Sequence, residues 1–271
     1  MPNLYQASAS INNLEEMALR KSAVHNFHPM AKLLTTIVYI VMVISFSQQN
    51  ISGLAAFLFY PVIIMSVSNT PYKPLLKRLL VALPFSLMGG ISNILFLRNA
   101  AFYIGGIAVT TGMVSFVAIM LKTFMSVFAV LILIATTPFT EISAQLIILH
   151  VPKILCLQLV MTYRYLSVLI EEAFSMFTAY NMRNPAPENK KKSGIKMRDM
   201  GIFLGQLILR SFDRAERVYN SMKCRGFDGS YATNGIYKNF RVNDVIYTIG
   251  IIAAVIFLRF FNLSLFLGKI V

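Results

Sequence analysis

The chain of 271 residues contains 56% hydrophobic and only 13% charged residues, about half the charged fraction of a typical soluble domain. Its mean hydropathy is +0.65, and several apolar runs approach the roughly 20 residues that cross a bilayer. The composition therefore argues against a soluble globular protein and predicts a multi-pass membrane protein. In that setting, the net charge of +14 is interpreted as a topology signal and not as a sign of nucleic-acid binding.

Apolar runs predict five membrane-spanning helices. We expect them at about residues 33–47, 51–68, 79–97, 113–135 and 243–261. Pro61 and Pro84 fall inside the second and third spans, where each predicts a kink. Lys122 lies within the fourth span, and we favour a structural role for it over a functional site. Residues 1–26 are polar, so we expect no signal peptide here.

Basic residues predict the orientation of the spans. The loop at 69–78 and the flank before the first span each carry three Lys or Arg residues, whereas the opposite loops at 48–50 and 98–112 carry only Arg98. By the positive-inside rule, the N-terminus and the segment between the fourth and fifth spans are cytoplasmic. The predicted parts are four N-terminal spans, a cytoplasmic helical segment and a C-terminal span, at residues 1–136, 137–242 and 243–271.

The cytoplasmic segment holds 15 of the 25 Lys and Arg residues and 8 of the 11 Asp and Glu residues. A short helix is predicted to follow Thr137, with this threonine as the N-cap and Pro138 as the first helical residue. Two long helices are predicted at about 154–183 and 200–225. The polar, proline-containing run NPAPENKKKSG between them predicts an exposed loop.

The two long helices end in similar ways. Each has an alanine, an aromatic residue four positions later and an arginine ten positions after the alanine: Ala173, Phe177 and Arg183, then Ala215, Tyr219 and Arg225. A residue that tolerates left-handed backbone follows each arginine, Asn184 in one helix and Gly226 in the other. On spacing alone we favour ordinary helix-end arginines, since the dipole favours a cation at a helix C-terminus. A partner's groove, where arginine pairs with carboxylates or carbonyls, is left open as the other interpretation.

Three stretches resemble the cobalt-type (CbiQ-like) transmembrane component of energy-coupling-factor transporters. They are HPMAKLL at 28–34, TTPFTEISAQLIILHVPKILCLQLVMTYRYLSVLIEEAFSMFTAYNMR, and LRSFDRAERVYNSMKCRGFDG. Together they cover the chain from about residue 28 to 230, in the order expected of that family.

The resemblance implies an all-α membrane protein of about five transmembrane helices plus a cytoplasmic domain of long, crossed coupling helices. The family's component links two ATP-binding-cassette ATPases to a substrate-binding membrane subunit, with or without a small accessory membrane subunit. The implied function is energy coupling in an ATP-driven importer of the cell membrane, for cobalt or nickel ions and hence for cobalamin biosynthesis. ATP and magnesium would be used by the partner ATPases, and no cofactor is expected on this chain.

The resemblance also places the family's Ala-Arg-Gly-like motif at the two helix ends. The implied ATPase-coupling residues are Met182, Arg183 and Asn184, then Cys224, Arg225 and Gly226. Neither arginine has the usual preceding alanine, and Asn184 replaces the small third residue. Nearby charged residues are expected to stiffen the helices or to pair internally. We expect an i, i+4 pair of Asp213 with Arg217, and leave open the partners of Arg214, Glu216, Glu171 and Glu172.

Other functions fit the sequence less well. A vitamin-type transporter of the same class would share the architecture, and only the form of RAERVY and RGF favours metal ions. A stand-alone secondary transporter predicts paired polar residues in several spans and membrane repeats, which we do not find. GxxxxGK[ST], HExxH, acid pairs and Ser-His-Asp sets are also missing, so we expect no enzyme. With three histidines and two cysteines, we expect no metal site.

Overall fold

The computed structural model of the protein describes residues 17–20, 22–46, 51–68, 70–96, 100–104, 107–184, 197–229 and 241–260. These residues contain eleven helices: α1 (Ala23–Asn26), α2 (Pro29–Ile44), α3 (Ile51–Ala56), α4 (Phe59–Ser68), α5 (Tyr72–Leu80), α6 (Leu83–Phe96), α7 (Thr111–Thr136), α8 (Phe139–Ile148), α9 (Lys153–Arg183), α10 (Met197–Cys224) and α11 (Val242–Phe260). The helices belong to two compact units. We call α1–α7 with α11 the membrane unit, and α8–α10 the long-helix unit.

Several helices are suited to cross a membrane. Within the described residues, α7, α9 and α11 are long and apolar enough, and α5 with α6 qualifies as one span bent by 45°. Two shorter apolar helices, at Pro29–Ile44 and Gly53–Ser68, coincide with the first and second predicted spans. The predicted all-α membrane architecture is confirmed. In addition, α9 is long and apolar enough to cross a membrane, although it was predicted to be cytoplasmic.

The second and third spans are interrupted just before a proline. The interruptions lie at residues 57–58 and 81–82, upstream of Pro61 and Pro84. Proline has no N–H, so the carbonyl four residues earlier loses its helical partner. For Pro61 that carbonyl belongs to Phe57, and the hydroxyl of Tyr39 donates a hydrogen bond to it at 2.9 Å. Both spans are therefore interrupted near the prolines that were expected to kink them, and the second interruption carries a bend of 45°. The Phe57 carbonyl accepts from the Tyr39 hydroxyl and also from the N–H of Tyr60, at 3.3 Å.

A β-hairpin connects α6 to α7, which the sequence analysis did not predict. Its strands are β1 (Ala100–Ile104) and β2 (Ile107–Thr110), paired antiparallel with Ile104 opposite Ile107. The strands are rich in aromatic and β-branched residues, which favour extended structure. The dipeptide Gly105-Gly106 between them in the sequence is a hairpin signal.

The core of the membrane unit is built around α7. Phe128, Ile132 and Ala135 of α7 pack in one buried cluster with residues of α1, α4 and α5. Met125 and Ala129 pack in a second cluster with residues of α2, α3 and α11. One central helix therefore joins the shorter helices on its two sides, as a helix that is apolar along its whole length can do.

Two lysines join the ends of α2 and α7. Lys32, in the first turn of α2, is buried and donates to the carbonyl of Thr136 at the end of α7, at 2.8 Å. Lys122 of α7 donates to the carbonyls of Ile44, at 3.2 Å, and Phe46 at the end of α2. The last carbonyls of a helix lack intrahelical partners and carry the negative end of its dipole. Each helix thus supplies a lysine that caps the other, which gives Lys122 a structural role.

A buried carboxylate connects the beginning of α11 to the beginning of α2. Asp244 accepts hydrogen bonds from the backbone N–H of His28 and from that of Arg241, each at 2.9 Å. The second bond closes the first turn of α11 in the manner of a capping box. At the opposite end, the guanidinium of Arg259 lies 5.5 Å from the centre of the Phe46 ring. The two helices therefore run parallel and touch at both ends.

We predict that Lys122→Met destabilises the membrane unit, because two helix-end carbonyls lose a charged donor. A hydrogen bond to a charged group contributes about 1.5–3 kcal/mol, so the loss should be measurable as a lower unfolding temperature in detergent micelles. Lys122→Arg should keep most of the stability. Lys73, which is exposed on α5, provides the matched control, and equal losses for Lys122→Met and Lys73→Met would contradict the capping role.

His25 is a second buried group near the first span, with 7% of its surface exposed. Its Nε2 donates to the carbonyl of Met17 at 3.0 Å, and its Nδ1 accepts from the hydroxyl of Ser22 at 2.7 Å. Burial lowers the pKa of His25 below its ordinary value of 6.5, and the positive charges of Lys32 and Arg20 act in the same direction. The neutral imidazole is therefore the form that the folded protein favours.

This pKa shift predicts acid sensitivity. Because the folded pKa lies below the unfolded one, the unfolded chain binds more protons between the two values, and stability falls as the pH drops below 6.5. Thermal unfolding in detergent, measured from neutral to mildly acidic pH, should show a falling midpoint. His25→Gln, which retains a donor for Met17, should flatten the slope. An unchanged slope in His25→Gln would count against this account.

Candidate functional site

The helix α8 begins at Phe139, one residue later than predicted, and Thr137 is not its N-cap. Thr137 has an extended backbone, with φ of −141° and ψ of 121°, the conformation that a following proline imposes. Its buried hydroxyl has no hydrogen-bond partner among the described residues. The first turn of α8 instead contains Glu141, whose negative charge suits the helix N-terminus.

In the turn from α8 to α9, backbone N–H groups donate hydrogen bonds to carbonyls at the end of α8. The N–H of Val151 donates to Leu146 and that of His150 to Ile147, each at 3.1 Å, which is the Schellman pattern. This pattern requires one residue with left-handed backbone. That residue is His150, with φ of 62°, at a position where glycine is the usual residue. The turn brings the two helices together, so that the rings of Phe139 and Tyr163 stack with centroids 4.8 Å apart.

The helices α9 and α10 form an antiparallel pair. Residue numbers rise along one helix as they fall along the other, and contacts occur at three levels: Tyr180 with Asp199, Glu172 with Arg210 and Arg214, and Met161 with Met222 across a cavity. The bond from the Tyr180 hydroxyl to the Asp199 carboxylate measures 2.6 Å. The beginning of α10 thus lies beside the end of α9, and the reverse holds at the other end.

The middle of the pair is joined by one carboxylate. Glu172 forms ion pairs with Arg210 and, at 3.2 Å, with Arg214, which lie four residues apart on α10. Glu171 is exposed on the same turn of α9. A single acid on one helix thus contacts two successive turns of the other, which stiffens the pair against sliding.

The predicted pair of Asp213 with Arg217 is not formed within 4 Å in the described part of the chain. Arg217 lines a cavity between α9 and α10, and a side chain placed there is not available to Asp213 on the preceding turn. Glu216 is exposed and likewise forms no ion pair there. Among the described residues, the ion pairs of α10 are therefore formed with α9 and not along its own surface.

The end of α10 has the left-handed residue that the sequence predicted. Gly226 has φ of 81°, and the N–H groups of Phe227 and Gly226 donate to the carbonyls of Met222 and Lys223, each at 3.0 Å. This is a complete Schellman motif, in which Arg225 is the last residue before the turn. Backbone N–H groups thus satisfy the carbonyls of Met222 and Lys223 without the Arg225 side chain.

The end of α9 differs from this expectation. Asn184 has φ of −124° and ψ of 71°, which is not left-handed. Pro185 follows in the sequence, and the residue before a proline is pushed towards extended backbone. The N–H of Asn184 still donates to Tyr180 at 3.0 Å, and its side-chain amide donates to the same carbonyl at 3.4 Å. Both helices therefore end near an arginine, but the residue that follows the arginine is left-handed only at Gly226.

All six predicted coupling residues are exposed; they are Met182, Arg183, Asn184, Cys224, Arg225 and Gly226. Met182 is the most apolar of them and has 78% of its surface exposed. Among the described residues, no carboxylate lies within ion-pair distance of Arg183 or Arg225. Both arginines are thus available to a partner.

The structure places the two arginines at opposite ends of the helix pair. Arg225 and Met161 line the same cavity, and Arg183 lies 22 residues beyond Met161 on α9. At 1.5 Å per residue, this corresponds to roughly 30 Å along the helix axis. The structure therefore does not unite the two motifs in one site, and it presents two separate arginine-bearing ends.

Large apolar side chains remain exposed on both long helices. They include Ile154, Leu155 and Phe174 on α9, and Ile202, Ile208, Leu209 and Phe212 on α10. Exposed apolar surface of this kind marks a contact with a protein or a membrane. Among the described residues, no group of three or more His, Cys, Asp or Glu side chains is placed to hold a metal ion.

Comparisons with known proteins identify a family to which the chain belongs. A family model described as "CbiQ: Cobalt transport protein" matches residues 20–234, which is most of the chain. The chain is also 33% identical over 96 residues to a protein of Lactiplantibacillus plantarum named nickel permease LarQ. That match covers 35% of this chain and 33% of the relative, so the chain matches about a third of that relative's length.

We predict that Gly226→Ala destabilises the last turn of α10. A Cβ at this position would meet no atom within 4 Å, so the cost comes from the left-handed backbone alone and amounts to about 1–2 kcal/mol. Amide hydrogen exchange of residues 219–225 should become faster. The matched control is Gly205→Ala in the interior of the same helix, where a Cβ also meets no atom within 4 Å and alanine should slow the exchange. Unchanged exchange in Gly226→Ala would contradict the Schellman assignment.

Proposed function

Because the chain belongs to the CbiQ family of cobalt transport proteins, we propose that it is the energy-coupling membrane subunit of an ATP-driven importer of the energy-coupling-factor type. In this proposal the chain hydrolyses nothing itself and links two ATP-binding-cassette ATPases to a substrate-binding membrane subunit. The observation that carries the proposal is the pair of exposed arginines, Arg183 and Arg225, at opposite ends of an antiparallel helix pair.

The separation of the arginines supports a link to two ATPases. Ends that lie roughly 30 Å apart reach two grooves on two neighbouring subunits more readily than one groove on a single subunit. A planar guanidinium can enter such a groove and pair with a carboxylate or with helix-end carbonyls. In each motif the neighbouring residues are also exposed, so a partner can enclose the whole helix end.

The contacts between α9 and α10 support a mechanical role for the pair. Glu172 connects the middle of the pair through two arginines, and the Tyr180–Asp199 hydrogen bond fixes one end. When ATP draws the two ATPases together, their grooves would move Arg183 and Arg225, and the joined helices would move with them. To favour one state, the ATPases must hold these ends with different affinity before and after ATP binding, because equal affinity shifts no equilibrium.

The exposed apolar faces of the long helices supply a surface for the substrate-binding subunit. That subunit would hold the metal ion and change its orientation when the helix pair moves. The family's description names cobalt and the relative's name refers to nickel, so we take these two ions as the cargo. A vitamin-type importer of the same architecture is the alternative.

We place the long-helix unit at the cytoplasmic membrane surface, together with the N-terminus. The apolar character of α9 would permit a span, but α10 runs beside it and carries charged residues at 210, 213, 214, 216 and 217. Charges in this number are costly inside a bilayer. A crossing pair would also put Arg183 and Arg225 on opposite sides of the membrane, where only one of them could reach an ATPase.

The decisive experiment is co-purification from membranes of the full chain, co-expressed with its ATPases and substrate-binding subunit. The wild type should retain two ATPases per chain. Arg183→Glu and Arg225→Glu should each lose about one of them, since reversing a buried interface charge costs several kcal/mol, and the double variant should lose both along with uptake of radioactive cobalt or nickel.

Lys223→Glu makes the same charge change two residues before Arg225 and provides the control. It should retain both ATPases. If the double variant keeps its ATPases, the arginines are ordinary helix-end cations. If the wild type retains no ATPase, the coupling proposal fails.

A further inference from the structure

Four arginines line one cavity between α9 and α10. The cavity has a volume of about 500 Å³ and lies near the helix end marked by Arg225. Arg164 comes from α9, whereas Arg214, Arg217 and Arg225 come from α10, where their spacing places them on one face of the helix. The volume is within the range of pockets that hold small molecules, roughly 300–1,000 Å³.

The lining of this cavity is basic and offers almost only hydrogen-bond donors. None of the described residues that line it is acidic. Each guanidinium has five N–H donors and no acceptor. The hydroxyl of Ser221, which also lines the cavity, already donates to the carbonyl of Arg217 at 2.8 Å. A ligand that fits this lining must therefore bring negative charge and acceptor oxygens.

Two of the four arginines have neither an internal carboxylate nor a role in the proposed coupling. Arg214 pairs with Glu172 at 3.2 Å, and Arg225 is assigned to an ATPase. Among the described residues, Arg164 and Arg217 have no carboxylate within 4 Å. Like charges that line one cavity repel each other, and a bound anion replaces this repulsion with attraction.

We infer that this cavity is a binding site for a phosphate group, which Arg164 and Arg217 hold between them. A terminal phosphate carries about −1.5 to −2 charges at pH 7 and three acceptor oxygens. It therefore matches the positive charges and the planar donor forks of two guanidinium groups. The same group occurs in free phosphate and in the headgroup of an anionic lipid. The inference does not use Arg225 and does not rest on the proposed function.

The lining favours a phosphate over an acidic segment of a partner protein. A carboxylate carries one charge and can pair with a single arginine through two bonds, which leaves the second guanidinium without a partner. A peptide also brings backbone N–H groups, which need acceptors when they are buried. The described lining offers side-chain acceptors only in the hydroxyls of Tyr165 and Ser221 and in the weakly accepting sulfurs of two methionines. A phosphate dianion brings acceptors alone.

The test uses the full chain, purified without ATPases in a neutral detergent and a phosphate-free buffer. Binding of inorganic phosphate and of short-chain phosphatidic acid is measured separately by calorimetry, with acetate as the carboxylate reference. The wild type should bind at least one phosphate probe at one site per chain, more tightly than acetate. Arg164→Gln and Arg217→Gln should each weaken that binding about tenfold, because each removes charged hydrogen bonds. Both side chains are exposed, so these variants should unfold at the wild-type temperature.

Lys223→Gln is the matched control, because it removes one charge from the same end of α10 at a residue that does not line the cavity. It should bind the phosphate probes as the wild type does. Binding of inorganic phosphate identifies a free phosphoanion as the source of the group, and binding of phosphatidic acid alone identifies a lipid headgroup. Either result supports the inference when the arginine variants weaken it.

Three results overturn the inference. They are no binding of either phosphate probe to the wild type, wild-type affinity in the Arg164→Gln, Arg217→Gln double variant, and tighter binding of a hexaglutamate peptide than of both phosphate probes. The last result assigns the cavity to an acidic protein segment. Because no ATPase is present in these titrations, a failure of the coupling proposal leaves their outcome intact, and the two proposals fail separately.

Discussion

The backbone carbonyls at the ends and interruptions of its helices impose the strongest constraint on this protein. Each helix leaves its last four carbonyls without an intrahelical partner, and in an apolar environment an unpaired polar group costs several kcal/mol. The membrane unit meets this cost with side chains from neighbouring helices. Lys32 and Lys122 cap α7 and α2 reciprocally, and the Tyr39 hydroxyl donates to the Phe57 carbonyl at the interruption before Pro61. The contacts that pack α2 against α7 therefore also provide hydrogen-bond donors for the carbonyls at the ends of both helices.

The long-helix unit meets the same constraint with its own backbone. Schellman turns at His150 and Gly226 close the carbonyls of α8 and α10, and Asn184 closes that of Tyr180. This bears on the choice that the sequence left open for the terminal arginines. Among the described residues, neither the Arg183 nor the Arg225 side chain donates a hydrogen bond to a helix-end carbonyl, so the attraction to the helix dipole, about 0.3–1 kcal/mol, is the internal reason that remains for them. Their exposure is then better explained by a partner.

Periodic features were predictable from the sequence, whereas features set by a single neighbour or by distant pairing were not. The apolar runs located α2, α7 and α11, and the prolines marked the interrupted spans. The Thr137 hydroxyl makes no hydrogen bond among the described residues, so the predicted cap is missing, and Asn184 precedes a proline, which disfavours the left-handed turn that was expected there. The expected Asp213–Arg217 pair was an argument from spacing on one helix, but Arg217 lies in a cavity formed with another. Arg164 and Arg217 are 53 residues apart, and only the antiparallel register, fixed by contacts such as Tyr180–Asp199, brings them together.

That register also makes the two ends of the helix pair chemically unlike. The end at Arg225 has a left-handed glycine and borders a cavity that further arginines line. The end at Arg183 is followed by the sequence Asn-Pro and lies beside the Tyr180–Asp199 hydrogen bond. In the proposed complex, two identical ATPase grooves could recognise only what the ends share, which is an exposed arginine at the C-terminus of a helix. Any further affinity at one end must come from contacts that the other end cannot make. If the proposed complex forms, the strength of the two attachments is therefore expected to differ, and the motion that ATP would drive need not be symmetric across the pair.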